Sequence, residues 1–590
     1  MSATTKRWRL KPPADPAAVA ALTHGRSPRS LATLLAQRGI RTAIEARDFY
    51  RPSMAHLHDP FLMKDMEQAV ERIEAALEGG ETIMVYGDYD VDGTTSVALV
   101  YSLLEPHAKR IHHYVPDRYS EGYGISILGI NRAKELGVTL IIALDCGIKA
   151  IDQVAYAKEK GIDFIICDHH TPGERLPEAV AVLDPKRKDC NYPYKELSGC
   201  GIGFKLMQAF AARKEIPFSE IEGALDLVAI SIGCDIVPIT GENRTLAYFG
   251  LQRLNEHEAR PGIKALLSFS NHKRPLTVTD LVFVLGPRIN AAGRIQHGQQ
   301  AVELLLAKDE KEADHIANLV DANNKERQVL DKGITDAALA MFDSEEYLQG
   351  AWSTVVFNPE WHKGVIGIVA SRLIERHYRP TVVLTKSNDL VSGSARSVKG
   401  FNIYEALDAC SDLLERYGGH MYAAGLTMKP EMVEGFRDRF EKVVRETMDE
   451  SLRMPEEEVD LEIGLGEIQE PFFRALQGME PFGPENMKPV FLARGVTARD
   501  VRLLGNDGTH LKFKVTAPNM PEQDLDAIAF GQADHLEMVV GNQPFSMLFT
   551  IEENHWNGRV KLQLNVKDIK PGTENLLVNE PAPDMESTSA

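Results

Sequence analysis

Three carboxylates at alternate positions, directly behind a short apolar run, constrain this chain more than any other stretch. Ile83, Met84, Val85 and Tyr86 read as a buried strand that stops at Gly87, and Asp88, Asp90 and Asp92 follow. In extended backbone, residues two apart face the same side about 6.5–7 Å from one another, at roughly 3.3 Å rise per residue. Two divalent cations about 3.5–4 Å apart, with metal–oxygen bonds of roughly 2 Å, span a similar distance. Three like charges this close repel, and their pKa values rise unless cations neutralise them. Taken alone, an acidic turn with Gly93 supplying the bend is the competing reading.

At 590 residues the chain exceeds a single core and should divide into about three or four domains. No apolar run reaches the roughly 18 residues of a membrane span, and the start MSATTKRWRLKPP lacks the apolar core of a signal peptide. A cytoplasmic protein with no membrane partner is expected. The six cysteines contain no CxxC pair, which argues against a zinc ribbon or a disulfide framework. The formal charge of −19 is unevenly spread: Glu446 to Glu470 holds ten acids against Arg453 alone, and the last twenty residues add four acids with no Lys or Arg. Nucleic acid therefore stays admissible as a partner despite the acidic total.

Behind the opening strand, RIHHYV, TLIIALDCG, DFIICDHH, AVAVLDP and LVAISIGCDIVPI are apolar runs alternating with helical patterns. That order predicts a parallel sheet with helices on both faces, in which ligands collect at the carboxyl ends of the strands. Four such ends carry Asp88 to Asp92, then Asp145, then Asp168, His169 and His170, then Asp235. A single Asp behind a strand is commonplace, since Asp caps helices and opens turns. Four ends on one sheet edge point to a site. Carboxylate with imidazole suits manganese and carboxylate with water suits magnesium, while Cys146, Cys167 and Cys234 alternate with the candidates and read as packing.

GDYDVDGTTS, ALDCG, CDHH and GCDIVP, in this order and spacing, resemble the four motifs of the DHH phosphoesterase superfamily. GPRINAAGRI, SGSARS and GGHMYAAG are similar to stretches of its RecJ family of bacterial single-strand-specific exonucleases. The resemblance runs from about residue 70 to 570. It implies two divalent metal ions, Mn2+ or Mg2+, held by Asp88, Asp90, Asp92, Asp145, His169 and Asp235, with Asp145 bridging. Asp168 would orient the histidines and His170 would face the scissile phosphate. Of the first three aspartates, Asp88 is expected to be the least committed. The implied reaction is 5′-to-3′ removal of mononucleotides from single-stranded DNA, in recombination and repair. A helicase or a single-strand-binding protein is the expected class of protein partner, and a monomer the expected state.

Between the motifs, Arg118 sits among Tyr119, Tyr123 and two glycines in PDRYSEGYG; arginine recognises phosphate and tyrosine stacks bases, against the plain reading of a solvated loop arginine. Arg288, Asn290 and Arg294 occupy a glycine-punctuated segment suited to phosphate contacts. In the second lobe, small residues and glycines with Ser394, Arg396, Gly418, Gly419 and His420 suit an anion. Arg118, Ser394 and Arg396 are expected to share a pocket for the terminal 5′ phosphate, in a cleft between the catalytic and associated lobes.

The expected fold is α/β throughout its first two lobes: a leading segment over 1–65, a parallel-sheet DHH catalytic domain over 66–300, a connecting helix over 301–345 broken near Gly333, and an α/β DHH-associated domain over 346–450. The acidic stretch reads as a solvated linker. Short alternating strands over 456–570 suit a five-stranded OB-fold β-barrel that binds single strands, and 571–590 reads as a disordered tail. Two rival functions are a short-oligonucleotide or cyclic-dinucleotide phosphodiesterase of the same superfamily and a DNA-binding scaffold without catalysis. The barrel favours a longer substrate than the first rival, and the filled ligand positions argue against the second.

Overall fold

The computed structural model describes residues 6–23, 28–256, 259–270, 275–295, 298–505, 507–516, 524–541, 543–556 and 558–572. Two compact units emerge: one of Arg51–Leu330 with Glu480–Met487, the other of Met1–Tyr50, Asp331–Met479 and Lys488–Ala590. The leading segment is thus divided between them. The chain opens on strand β1 (Arg7–Leu10), whose partner lies far along the sequence.

In the first-named unit, β2 (Thr82–Gly87), β3 (Arg110–Tyr114), β4 (Val138–Leu144), β5 (Asp163–Cys167) and β6 (Ala181–Leu183) form a sheet in the order β3-β2-β4-β5-β6. Every pairing is parallel. All six residues of β2 are buried, as a strand covered on both faces requires. Side-chain alternation splits the core in two. Ile83, Val85, Leu140, Ile142, Leu144 and Ile165 pack with Val97, Leu99 and Phe204 on one face; Met84, Tyr86, Ile141, Ala143, Phe164 and Ile166 pack with Ile130 and Val154 on the other. Each Val, Leu, Ile, Phe or Met among them stabilises by roughly 1.5–3 kcal/mol when fully buried. The strand order reverses at β2, so the crevice at its carboxyl end is the topological switch point where ligands bind in open α/β sheets.

LVAISIGCDIVPI is not a strand. Leu225–Cys234 is an α-helix with nine of its ten residues buried, and Asp235 is its C-cap. A helix enclosed on all sides loses the polar face that gives the 3.6-residue period, so its apolar run is indistinguishable from a buried strand. The connecting stretch breaks earlier than expected: Gln299–Leu306 is a separate helix, and Glu310–Ser344 then runs for 35 residues without interruption through Gly333. One interior glycine costs only about 1 kcal/mol. The polar stretch faces inward, with Asp321, Asn323, Asn324 and Arg327 buried.

The other unit contains β7 (Thr354–Phe357), β8 (Thr381–Ser387), β9 (Leu390–Arg396), β10 (Arg416–His420) and β11 (Ala423–Met428), ordered β10-β11-β9-β8-β7. Only β7 and β8 pair in parallel. The acidic stretch is not a solvated linker. Its β12 (Glu456–Val459) pairs in parallel with β1, setting Arg7 opposite Glu456 and Arg9 opposite Glu458. Ion pairs join Lys6 to Glu457 (2.9 Å), Arg9 to Glu456 (2.8 Å) and Lys11 to Asp460 (2.8 Å). The basic start of the chain is the partner that its acidic stretch needs. Next, β13 (Leu461–Glu462) leads to β14 (Phe491–Leu504), β15 (His510–Thr516), β16 (Leu525–Ala529), β17 (Phe545–Trp556) and β18 (Arg559–Pro571). The last five close into a barrel through the β14–β17 pairing, around Phe491, Phe513, Phe545 and Phe549. The tail expected from 571 lies, beyond residue 572, outside the described residues. No helix among the described residues is long and apolar enough to cross a membrane.

Candidate metal centre

The turn behind β2 folds back so tightly that a Cβ on Gly93 would stand 2.3 Å from the Asp88 carbonyl oxygen. Glycine is therefore required there. Asp90 caps the helix Val91–Leu104, its Oδ1 accepting the Gly93 N–H at 2.9 Å, and Asp92 lies in the first turn. Extended alternation thus ends at Asp90, and the helix turns Asp92 inward. Asp92 accepts from Gly199 N–H (2.7 Å), Cys200 N–H (2.8 Å) and Ser231 Oγ (2.7 Å). The first two donors belong to the first turn of the helix Gly199–Arg213, a setting that favours an anion. Asp88, by contrast, accepts from Gly124 N–H at 3.3 Å and keeps a buried Oδ2 with no hydrogen-bond partner. The protein's own hydrogen bonds engage Asp92 more fully than Asp88.

Asp145 follows β4 with φ of 57°, and a Cβ on Gly199 would come within 2.6 Å of its own Cβ. Its Oδ1 is buried without a hydrogen-bond partner. His169, behind β5, brings Nε2 to 3.2 Å from Asp145 Oδ1, 3.5 Å from Asp235 Oδ2 and 3.8 Å from Asp92 Oδ2. Neither ring nitrogen of His169 has a hydrogen-bond partner. Two donors each roughly 2.1 Å from one cation, at right angles, stand about 3 Å apart, close to these separations. Burial, and then the neighbouring Asp90, raises Asp88 well above the carboxylate range; burial followed by Asp92 does the same for Asp145 and pushes Asp235 up to about 9. Burial and Asp92 raise Asp90 too, and burial lowers His169. Orphaned oxygens and nitrogens, with acids that resist joint ionisation, fit divalent cations. Asp92, His169 and Asp235 form one possible ligand group; Asp145, His169 and His170 form another.

Asp168 differs because both of its oxygens are engaged by the protein. Its Oδ1 accepts from His169 N–H (2.8 Å) and His170 N–H (3.1 Å) and meets His170 Nδ1 at 2.7 Å, while Oδ2 accepts from Ile148 N–H at 2.8 Å. Burial opposes its ionisation, yet the bond to His170 prevails and holds it at about 2. The same bond, against burial, lifts His170 to about 9. His170 is therefore a cation at neutral pH, with Nε2 3.2 Å from the Tyr123 hydroxyl. That contact was not legible in sequence, where Tyr123 stood out only as a ring able to stack. Asp184, at the end of β6, is a second unanticipated group: fully buried, with Oδ2 unpartnered, and raised by burial to about 7.

Arg118 lies over the Tyr89 ring at 4.7 Å, and the Tyr119 hydroxyl donates to the Arg294 carbonyl. Arg294 and Asn290 lie on the helix Gly286–Ile295, and a Cβ on its Gly293 would stand 2.7 Å from Tyr89 O. Arg288 donates to Asp321 at 3.0 Å and to Val284 O at 2.7 Å. In the other unit Ser394 and Arg396 converge on the start of the helix Ile366–Arg376: a Cβ on Gly367 would be 2.9 Å from Arg396 Nη2 and 3.4 Å from Ser394 Oγ. His420, Ala423 and Arg396 share one cross-strand row, and Gly418 and Gly419 lie on the exposed β10 beside them.

The chain matches the family models described as "DHH family, N-terminal domain" over 82–232, "DHHA1 domain" over 349–446 and "RecJ OB domain" over 459–568. It is 40% identical to the single-stranded-DNA-specific exonuclease RecJ of Bacillus subtilis, over 96% of this chain and 71% of that protein. With the Escherichia coli RecJ the identity is 34%, over 92% and 96%. The crystal structure of RecJ from Thermus thermophilus in complex with Mn2+ superimposes with a TM-score of 0.82 at 28% identity, covering 98% of this chain and 81% of that one. A Mg2+ complex from the same organism gives a TM-score of 0.77 at 27% identity, covering 98% and 80%. Sequence motifs, sheet-edge site and domain order agree, and the chain belongs to the RecJ family within the DHH proteins.

Proposed function

We propose that this chain is a metal-dependent phosphodiester hydrolase that removes mononucleotides from the 5′ end of single-stranded DNA, in recombination and repair. The observation that carries the reading is the convergence of Asp92, Asp145 and Asp235 on His169 Nε2, with acceptor atoms left unsatisfied. Asp88, Asp90, Asp92, Asp145, His169 and Asp235 would hold two ions, Mn2+ or Mg2+. Bound there, the ions would supply a nucleophile from water at neutral pH and neutralise charge developing on the phosphate. His170, kept cationic by Asp168, offers a charge-assisted donor to a phosphate oxygen. Arg118, Asn290 and Arg294 suit the backbone of the strand in one unit; Ser394, Arg396, Gly418, Gly419 and His420 suit an anion in the other. The barrel adds a surface for the strand beyond the site. A helicase or a single-strand-binding protein would present such a substrate to a monomeric enzyme in the cytoplasm.

The test is the product pattern from an internally labelled single strand carrying a 5′ phosphate, with Mn2+ and then with chelator. Mononucleotides appearing first from the 5′ end, and vanishing with chelator, are expected. Release from the 3′ end, internal cuts or chelator-resistant hydrolysis would overturn the reading.

A further inference from the structure

Two exposed apolar side chains lie on the segments that meet at the Asp235 end of the site: Ile236 directly behind that aspartate, and Phe283 on a turn packed against the helix that delivers it. Ile236 follows Asp235 with φ of 62° and is 66% exposed. A branched β-carbon disfavours that left-handed backbone, and burial of the side chain does not compensate. Phe283 is 72% exposed on the π-helical turn Leu281–Leu285, a geometry that recurs at functional sites. The π-turn packs on the end of the helix that delivers Asp235. Cys234 Sγ lies 3.5 Å from Leu281 O, a Cβ on Gly233 would be 3.5 Å from Leu281 Cβ, and one on Gly286 would be 2.7 Å from Cys234 Sγ.

From this point the helix Gly286–Ile295 runs to the aspartate turn, where Gly293 abuts Tyr89. Its two ends differ in chemistry. Arg294, Tyr119 and Arg118 gather at the Tyr89 end, suited to phosphate, while Ile236 and Phe283 stand at the Asp235 end, suited to an uncharged planar group. In a polynucleotide, phosphates alternate with bases, so a site that grips the first must accommodate the second alongside.

We propose that Ile236 and Phe283 form a base-contact lip, packing and stacking on the nucleobase of a nucleotide flanking the scissile phosphate. Stacking is indifferent to base identity, because every base has a π-face, but it needs a base whose face is free. The lip therefore adds a preference for unpaired strands within the metal centre itself. This rests on the exonuclease reading.

The experiment compares kcat/KM on a thymine homopolymer and on a strand of the same length whose internal residues are tetrahydrofuran abasic sites, for wild type, Phe283→Ala and Ile236→Gly. Losing one stacked base lowers the rate constant by roughly tenfold or more. Each variant should lose about that factor on the thymine strand and keep a ratio to wild type near one on the abasic strand. Glycine relaxes the left-handed position, so Ile236→Gly should melt no lower than wild type while losing rate. Equal losses on both strands, or no loss on thymine, would overturn the lip. A lowered melting temperature for Ile236→Gly with equal losses would assign Ile236 to packing instead. Failure of wild type to cut either strand would instead defeat the exonuclease reading.

Discussion

Asp145 sits in a left-handed backbone conformation, buried, with one oxygen unpartnered, and His169 Nε2 is its neighbour at 3.2 Å. The backbone contact that holds Asp145, its N–H to the Cys167 carbonyl at 2.8 Å, does not involve the side chain, so replacing the carboxylate should abolish function and spare the fold. Asp145→Ala is expected to lower hydrolysis by at least about a hundredfold while circular dichroism is unchanged, since metal-assisted charge stabilisation contributes several kcal/mol. Substantial hydrolysis by a folded variant would remove Asp145 from the site. Asp168 makes the opposite case. With its oxygens all engaged and its ionisation retained down to about 2, it acts on His170, whose protonated form persists to about 9. Asp168→Asn keeps the shape and deletes the charge, removing the largest influence that raises His170 and leaving burial opposed only by the more weakly acting Asp235 and Asp92. Protonated His170 would then be lost at lower pH. The alkaline limb of kcat/KM should move down by one unit or more, with activity partly recovered near pH 6. An unmoved limb would deny His170 a cationic role.

At the scale of elements, sequence patterns located the strands whose neighbours are close in the chain and missed those whose environment is remote. β2, β4 and β5 were legible because strands buried on both faces read as continuous apolar runs, and their carboxyl ends supplied Asp88, Asp145 and His169 to the candidate site. Leu225–Cys234 reads as a strand because burial on all sides erases helical periodicity, and Asp235 reaches His169 from the end of a helix, not from a strand of the sheet. The fate of Glu456 to Val459 could not be read locally, since its partner is Arg7 to Leu10. The ladder they form poses a question of magnitude. Its ion pairs are partly exposed and worth roughly 0–1 kcal/mol each. Trp8 is 2% exposed, donates Nε1 to Asp568 Oδ2 at 2.7 Å and packs with Val459, Leu492 and Leu548. Truncating a buried tryptophan costs about 3–5 kcal/mol. Trp8→Ala should therefore lower the melting transition by many degrees, whereas Arg9→Ala should shift it by no more than about two. Comparable shifts would make the charges, not the indole, the anchor of β1.

For the molecule as a whole, the buried acids tie stability to pH and to cations. An ordinary carboxyl titrates near 4 in the unfolded chain, whereas Asp235 in the folded protein holds its proton to about 9, and Asp88, Asp90 and Asp145 shift the same way through burial and mutual repulsion. Between those values the metal-free folded state binds more protons than the unfolded one, so stability falls as pH rises. His170, raised to about 9 from an ordinary value near 6.5, adds to the same decline above pH 6.5. Asp168, held low, contributes oppositely but only below about 4. His169, lowered by burial, opposes the trend only below about 6.5. A cation reverses the balance, because it binds the ionised carboxylates and displaces their protons. Binding at a hundred times Kd adds roughly 2.7 kcal/mol per site. Melting the intact chain in chelator and in excess Mg2+ from pH 6.5 to 9 should show a declining Tm without metal and a gain from metal that widens with pH. Asp145→Asn, with one acid fewer to neutralise, should flatten both trends. A metal-free Tm that climbs across this range, or a gain independent of pH, would mean that these acids are not the ligands.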